Sequence, residues 1–262
     1  TAGGTWSSSN TAVATVNAST GVVTGVAAGS VTITYTVTIN GCTSNAQATV
    51  TVNALPVLAS IGGTTNACVG STTTLTNTTS GGVWTSSATA VATVNTITGT
   101  VTGVSAGTST ITYTYTNSNG CVSSVTTTVT INALPTVAAI TGTTSVCEGA
   151  TTALADVTSG GVWTSSNTAT ATVNASTGVV TGVAAGSTTI TYTVTSINGC
   201  STSVTTTVTV NAIPVVAAIS GTTEVCAGST TGLTSATAGG TWSSSNTATA
   251  TVNASTGVVT GV

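Results

Sequence analysis

Six cysteines hold most of the reactive chemistry in this sequence, and they form two series. Cys42, Cys121 and Cys200 each follow an Asn-Gly pair, whereas Cys68, Cys147 and Cys226 each stand two residues before a glycine. Both series advance in steps of 79 residues. The sequence has no histidine and no close Cys-x-x-Cys, so zinc lacks its usual ligand sets. An even, regularly spaced set of this kind predicts disulfides.

The other polar candidates are weaker. Glu148, Asp156 and Glu224 are the only acids, and they do not recur at equivalent places. Glu148 follows its cysteine directly, while Glu224 precedes its own by two residues. Calcium wants several oxygen ligands with carboxylates among them, so no metal site is expected. Ser7, Ser86, Ser165 and Ser243 follow tryptophans, but no His, Lys or paired acid is available to activate them. A nucleophile without a base does not catalyse, so these serines are expected to be strand or turn residues and the chain is not expected to be an enzyme. No cofactor motif occurs. Asn17, Asn77, Asn174 and Asn253 head Asn-x-Ser/Thr triplets, a weak sign of N-glycan. The threonine-rich faces are the better place for O-linked sugar.

Composition removes further classes. The 262 residues include no Lys or Arg and carry a formal charge of −3. Phosphate backbones and anionic membrane surfaces are both recognised by cationic side chains, so neither nucleic acid nor a charged bilayer is a plausible partner. Thr, Ser, Gly or Asn interrupts every apolar stretch well before about 18 residues, so no membrane-spanning segment is expected. Despite its polarity the chain should fold, because it is rich in the β-branched residues that disordered segments lack.

The elements that must position these residues are strands. Ile111, Tyr113 and Tyr115 alternate with threonines in Thr110–Thr116, and Val125, Thr127, Val129 and Ile131 share one face of the next segment. Period-two alternation marks strands with one face on a core and one in water. Between these two segments lies Asn119-Gly120, repeated as Asn40-Gly41 and Asn198-Gly199. Asn-Gly predicts two-residue type I′ hairpin turns with positive φ at both positions.

The elements repeat. Trp6, Trp84, Trp163 and Trp242 head nearly identical phrases, at steps of 78, 79 and 79 residues. A period this long suits a chain of small domains, each with its own core. Pro56, Pro135 and Pro214 recur in Asn-Ala-Leu/Ile-Pro and mark short, stiff boundaries. The expected organisation is therefore a C-terminal part of a repeat at 1–54, complete repeats at 55–133 and 134–212, and an N-terminal part at 213–262. In the third repeat, strands are expected near Val137–Thr141, Thr151–Leu154, Val162–Ser165, Ala171–Asn174, Gly178–Val183, Thr188–Thr195 and Ser203–Asn211. Seven short strands with frequent turns predict a Greek-key sandwich, with Trp6, Trp84, Trp163 and Trp242 as core centres.

The run from Trp163 to Tyr192 resembles the bacterial immunoglobulin-like group 2 domain, with its Trp-Ser-Ser phrase, Ala-Thr-Val, and Gly-x-Val-Thr-Gly-Val before a later Ile. The resemblance covers every repeat and implies tandem Ig-like β-sandwiches in an end-to-end array. With the recurring cysteines it also suggests giant surface proteins of Bacteroidetes-type bacteria, often exported by a type IX pathway. Near-absence of charge departs from typical members and favours a stalk or fibre role.

In such a topology the cysteines admit several pairings. The simplest closes Cys68–Cys121 and Cys147–Cys200 within single repeats, each adding about 4 kcal/mol by restricting the unfolded chain; Cys42 and Cys226 then pair outside the sequence or between domains. This is the preferred expectation. Against it, the last hairpin tip and the first-strand turn lie at opposite ends of an Ig sandwich, ~20–30 Å apart at ~3.3 Å per residue. Disulfide Cα atoms must come within about 7 Å. Domains stacked end to end would instead pair Cys68 with Cys200. Bonds between chains, or free thiols, complete the alternatives.

The functional expectation is a non-enzymatic extracellular fibre or adhesin stalk on a bacterial surface or in its matrix. Each repeat would add ~35–45 Å, from strands of about 7–10 residues plus turns. The competing expectation is a module that binds carbohydrate or protein through exposed loops. The expected partners are neighbouring repeats of the same chain or identical chains in a filament. A giant single chain is preferred over subunits that share strands, because the sequence opens and closes within a repeat and shows no specialised end.

Overall fold

The computed structural model describes residues 3–262, and every regular element among them is a strand. The chain divides into two compact units. One contains the residues up to Thr136 together with Thr195–Thr202; the other contains Val137–Val194 and Ser203–Val262.

The first unit opens with β1 (Thr5–Ser8), β2 (Ala14–Val16), β3 (Val23–Gly25), β4 (Gly29–Ile39) and β5 (Cys42–Val52). Strands β1, β4 and β5 form one sheet in that order, and β2 pairs with β3. Eight strands follow: β6 (Gly62–Gly63), β7 (Asn66–Cys68), β8 (Thr72–Thr76), β9 (Val83–Ser86), β10 (Ala92–Val94), β11 (Thr100–Gly103), β12 (Gly107–Thr116) and β13 (Val122–Asn132). They make two sheets, β10-β11-β8-β6 and β7-β13-β12-β9. All pairings in this repeat are antiparallel except β7 on β13, which is parallel and sets Cys68 opposite Asn132.

Alternation explains the layers. Ser109, Ile111 and Tyr113 of β12 and Val129 and Ile131 of β13 point inward and are buried. Apart from Ser109, which hydrogen-bonds Ser86, they meet Leu75, Trp84 and Val101 in one apolar core, while the intervening threonines of β13 face outward. Each buried aliphatic side chain contributes about 1.5–3 kcal/mol relative to exposure.

The second unit repeats the plan. It contains β14 (Thr141–Gly142), β15 (Ser145–Cys147), β16 (Thr151–Ala155), β17 (Val162–Ser165), β18 (Ala171–Val173), β19 (Val179–Gly182), β20 (Gly186–Thr195) and β21 (Ser201–Asn211), with the tip of the last hairpin assigned to the first unit. The sheets are β14-β16-β19-β18 and β15-β21-β20-β17. Its core gathers Leu154, Trp163, Val180, Ile190, Tyr192, Val208 and Val210. The unit ends with one four-stranded sheet built from β22 (Ile219–Gly221), β23 (Thr230–Ser235), β24 (Ala250–Val252) and β25 (Val258–Gly261), in the order β22-β23-β25-β24.

Two expectations need correction. The first strand of the third repeat does not run over Val137–Thr141: it begins at Thr141 and is divided, β14 lying in one sheet and β15 in the other. Gly142 makes the break, with φ of 116° and no room for a Cβ beside the Ala153 carbonyl. The repeat therefore has eight strands where seven or so were expected.

The second correction concerns the hairpins. Only Asn40-Gly41 has positive φ at both residues (52° and 80°), in a two-residue loop that joins Ile39 to Cys42. At the other tips the Asn is not in the left-handed region, and only Gly120 and Gly199 have positive φ. There the amide of Asn117 donates to the Cys121 carbonyl and that of Gly120 to the Asn117 carbonyl; Ser196, Cys200 and Gly199 repeat the pattern. This is the three-residue loop, a type I turn closed by a left-handed glycine. Its cause is one additional residue between tryptophan and Asn-Gly, 35 positions in these repeats against 34 in the first.

Candidate functional site: the cysteine tips

The Cys-x-Gly motif is a turn that hands the chain from one sheet to the other. The Ser71 amide donates to the Cys68 carbonyl at 2.9 Å, and Gly70, third residue of the turn, has φ of 79°. Glycine suits that place because a type II turn needs positive φ there. Strand β7 before the turn lies in one sheet and β8 after it in the other. Cys68 is thereby fixed at the end of the sandwich where β13 finishes.

The structure joins Cys68 to Cys200 across a sequence separation of 132, with Cα atoms 5.6 Å apart. Both residues belong to the first unit. Cys200 is buried, and its sulfur lies 3.9 Å from the Asn132 carbonyl oxygen. The Asn198 side-chain amide donates to Oδ1 of Asn132 at 3.1 Å. Cys42, Cys121, Cys147 and Cys226 are free thiols.

The preferred pairing, Cys68–Cys121 with Cys147–Cys200, is therefore not the one made. Cys68 stands opposite Asn132, at the far end of β13 from Cys121. At ~3.3 Å per residue the length of that strand keeps the two apart by several times the reach of a disulfide.

The other candidates have structural work. Trp84 and Trp163 are buried, whereas Trp6 and Trp242 are only half-buried. Trp84 meets Tyr113 with ring centroids 4.6 Å apart, and Trp163 meets Tyr192 at 4.5 Å. Ser86 and Ser165 donate to the carbonyls of Ala92 and Ala171 at 2.6 and 2.7 Å. Ser7 and Ser243 stand one place earlier and are exposed. Asn17, Asn174 and Asn253 each turn their carboxamide oxygen onto two following amides, as in Asn174 to Ser176 and Thr177 at 3.0 Å. Asn77 accepts from Thr79 at 2.9 Å.

Glu148 accepts from the Ala185 amide at 2.7 Å, and Asp156 from the Thr158 amide at 2.7 Å. Among the described residues no group of three or more His, Cys, Asp or Glu could hold a metal ion. No helix among them is long and apolar enough to cross a membrane, which says nothing of a β-barrel. A cleft of about 510 Å³ opens beside Trp242, Leu233, Gly239 and Gly240. In the earlier repeats the equivalent glycines, Gly82 and Gly161, lie under Tyr113 and Tyr192. Tyr113 and Tyr192 fill the corresponding space in those repeats.

Two facing sheets, one with the strand order β10-β11-β8-β6 and the other β7-β13-β12-β9, with the first strand shared between them, define an immunoglobulin-like sandwich. The family model for the bacterial Ig-like domain (group 2) matches residues 2–52 and 125–206, just over half of the chain, and the chain belongs to that family. No curated protein sequence matches it. Among solved structures, a C-terminal 282-residue fragment of intimin, in complex with the intimin-binding domain of its translocated receptor, is 17% identical with a TM-score of 0.26. That match covers 73% of this chain, which spans only 60% of the intimin fragment. Mouse protocadherin-24 EC1-3 is 12% identical, TM-score 0.23, covering 80% of this chain and 90% of its own. Drosophila N-cadherin EC1-4 is 12% identical, TM-score 0.23, covering 100% and 84%.

Proposed function

We propose that the chain is a structural, non-enzymatic part of an extracellular bacterial fibre or adhesin stalk, with Ig-like domains at 55–133 and 134–212 flanked by partial ones. The observation that carries this reading is the Cys68–Cys200 bond, which ties the hairpin tip of one repeat to the first-strand turn of the repeat before it. Such a bond resists extension, and disulfides persist in oxidising surroundings outside the cell. The absence of Lys and Arg leaves trypsin-like proteases no site, which suits the same surroundings. Neighbouring repeats, or further copies of the chain, are the partners of this reading.

Stretching single molecules tests it. With the bond intact, the residues between Cys68 and Cys200 are shielded from force. At about 3.3–3.6 Å per residue the reduced chain should extend further by ~450 Å. Equal extension with and without reductant would sink the mechanical role. Specific, sub-micromolar capture on a glycan array would favour the binding module instead.

A further inference from the structure

Threonines are set in register across the outer face of one sheet in each whole repeat. In the second repeat Thr108, Thr110 and Thr112 of β12 stand opposite Thr130, Thr128 and Thr126 of β13. Thr85 of β9 extends the Thr112–Thr126 row onto a third strand. Thr126 and Thr128 are exposed, on the side of β13 opposite buried Val129 and Ile131. In the third repeat Thr205, Thr207 and Thr209 hold the same places on β21 and are exposed. Both repeats have chain before and after them.

These faces lack what usually keeps sheets apart. Exposed surfaces of soluble domains carry interspersed charges, and a net charge near zero promotes association. Here Glu148, Asp156 and Glu224 all lie between strands, so no described strand bears a charge. The mean hydropathy is +0.51. A hydroxyl both donates and accepts, so such a face is complementary to a copy of itself, and no ion has to leave water. Thr193 and Ser203 already bond hydroxyl to hydroxyl across the third repeat's face, at 2.8 Å. β-branched side chains are stiff at χ1, so packing them costs little rotamer freedom.

The area is sufficient when both repeats take part. Each sheet has strands of 3, 11, 10 and 4 residues. At ~3.3 Å per residue and ~4.8 Å between strands that is ~440 Å² of face. Two copies joined through one repeat cover ~900 Å², below the size of a stable interface, whereas contacts through both repeats cover ~1,800 Å², within it.

We propose that the threonine faces of β12–β13 and β20–β21 are a lateral self-association surface, each packing against the same face of a second copy of this chain. The contact is side by side and non-covalent, unlike the end tie made by Cys68–Cys200. It stands on the faces and not on the stalk reading, so either can fail alone.

Sedimentation of the 262-residue chain, with its free thiols alkylated to prevent covalent dimers, tests the proposal. At ~100 μM the parent should sediment well above its 24.7 kDa monomer, because interfaces of the two-repeat size bind at micromolar strength or tighter. Thr126→Glu with Thr205→Glu places like charges face to face and should leave a monomer. Thr74→Glu with Ala153→Glu adds the same charge to exposed positions of β8 and β16, in the other sheets, and should associate as the parent does. Concentrated salt should restore association to the Thr126/Thr205 variant by screening, which an unfolded variant would not show. A monomeric parent, equal behaviour of the two variants, or no recovery in salt would overturn the proposal. Sugar found on Thr126 or Thr205 of the native protein would overturn it too, since glycan would then cover the face.

Discussion

Tyr113 closes over Gly82. Its hydroxyl accepts the Gly82 amide at 2.8 Å and donates to the Thr79 carbonyl, while its ring packs on Trp84. Tyr192 does the same over Gly161, accepting its amide at 2.9 Å and donating to Thr158 at 2.6 Å. A Cβ added to Gly82 would overlap the ring and approach the Thr114 carbonyl at 2.7 Å. The Gly-Gly before Trp6, Trp84 and Trp163 is therefore a seat for the tyrosine.

Gly82→Ala should destabilise the second repeat by about 1–3 kcal/mol, the usual cost of overpacking a close-fitted core. Gly81 is a useful contrast, because the nearest atom to an added Cβ there is 3.9 Å away and only its φ of 86° opposes substitution. Urea unfolding followed by fluorescence of the buried tryptophans would measure both. A Gly82→Ala variant as stable as the parent would contradict the close fit.

Tyr192→Phe keeps the ring against Trp163 but leaves the Gly161 amide and Thr158 carbonyl without their shared partner. The expected loss is about 1–3 kcal/mol. Hydrogen exchange should localise the change to the loop from Thr158 to Gly161. A uniform change across the repeat would point to the core ring instead.

Much of this was legible in the residues. Alternation in Thr110–Thr116 placed Ile111 and Tyr113 in the core, and the long repeat pointed to small sandwiches. What escaped was set by single positions. Val137–Thr141 has strand-like residues, but Gly142 redirects the chain, and a lone glycine does not announce a sheet change. The Asn-Gly signal was right about the hairpins and wrong about their type at two tips, because one inserted residue changes which residues need positive φ. The tyrosine lock was missed, although Gly-Gly before Trp6, Trp84 and Trp163 and a tyrosine 29 places after each of these were visible signals. The cysteine pairing turned on which end of the sandwich each cysteine occupies; that argument named Cys68–Cys200, the bond the structure makes, but only as the alternative to the preferred pairing within repeats.

Asp156 is the poorer version of Asn77. Both accept the amide two residues on, but the Asn77 side chain also donates to the Ala59 carbonyl at 2.8 Å. Asp156 has no hydrogen on its second oxygen when ionised, and that oxygen is buried without a partner. The carbonyl equivalent to Ala59, one 79-residue step on, belongs to Ala138. Asp156→Asn should thus restore the missing bond and raise stability by about 1 kcal/mol. Slower hydrogen exchange at Ala138 and Thr158 would accompany it. An unchanged or lower urea midpoint would show that the repeat equivalence fails here.

Reducing the Cys68–Cys200 bond should loosen a defined patch. In the chain-entropy picture a loop of this length contributes about 5 kcal/mol, an upper value because measured disulfides often give less. The hairpin amides of Ser196, Gly199 and Cys200 are hydrogen-bonded within the tip, so the turn itself should survive reduction. The contacts that depend on the bond are those from Asn198 and Cys200 to Asn132. Cys200→Ser should therefore raise hydrogen exchange at Asn132 and Val69, whose amide donates to the Asn132 carbonyl at 3.0 Å, and leave the Trp84 core protected. The tip at Cys121 supplies the comparison: its sulfur lies 3.8 Å from the Asn53 carbonyl oxygen with no disulfide, so reductant should leave that contact unchanged. If reduction instead exposed Trp84 or Leu75 to exchange, the bond would be holding the sandwich together and not only its end.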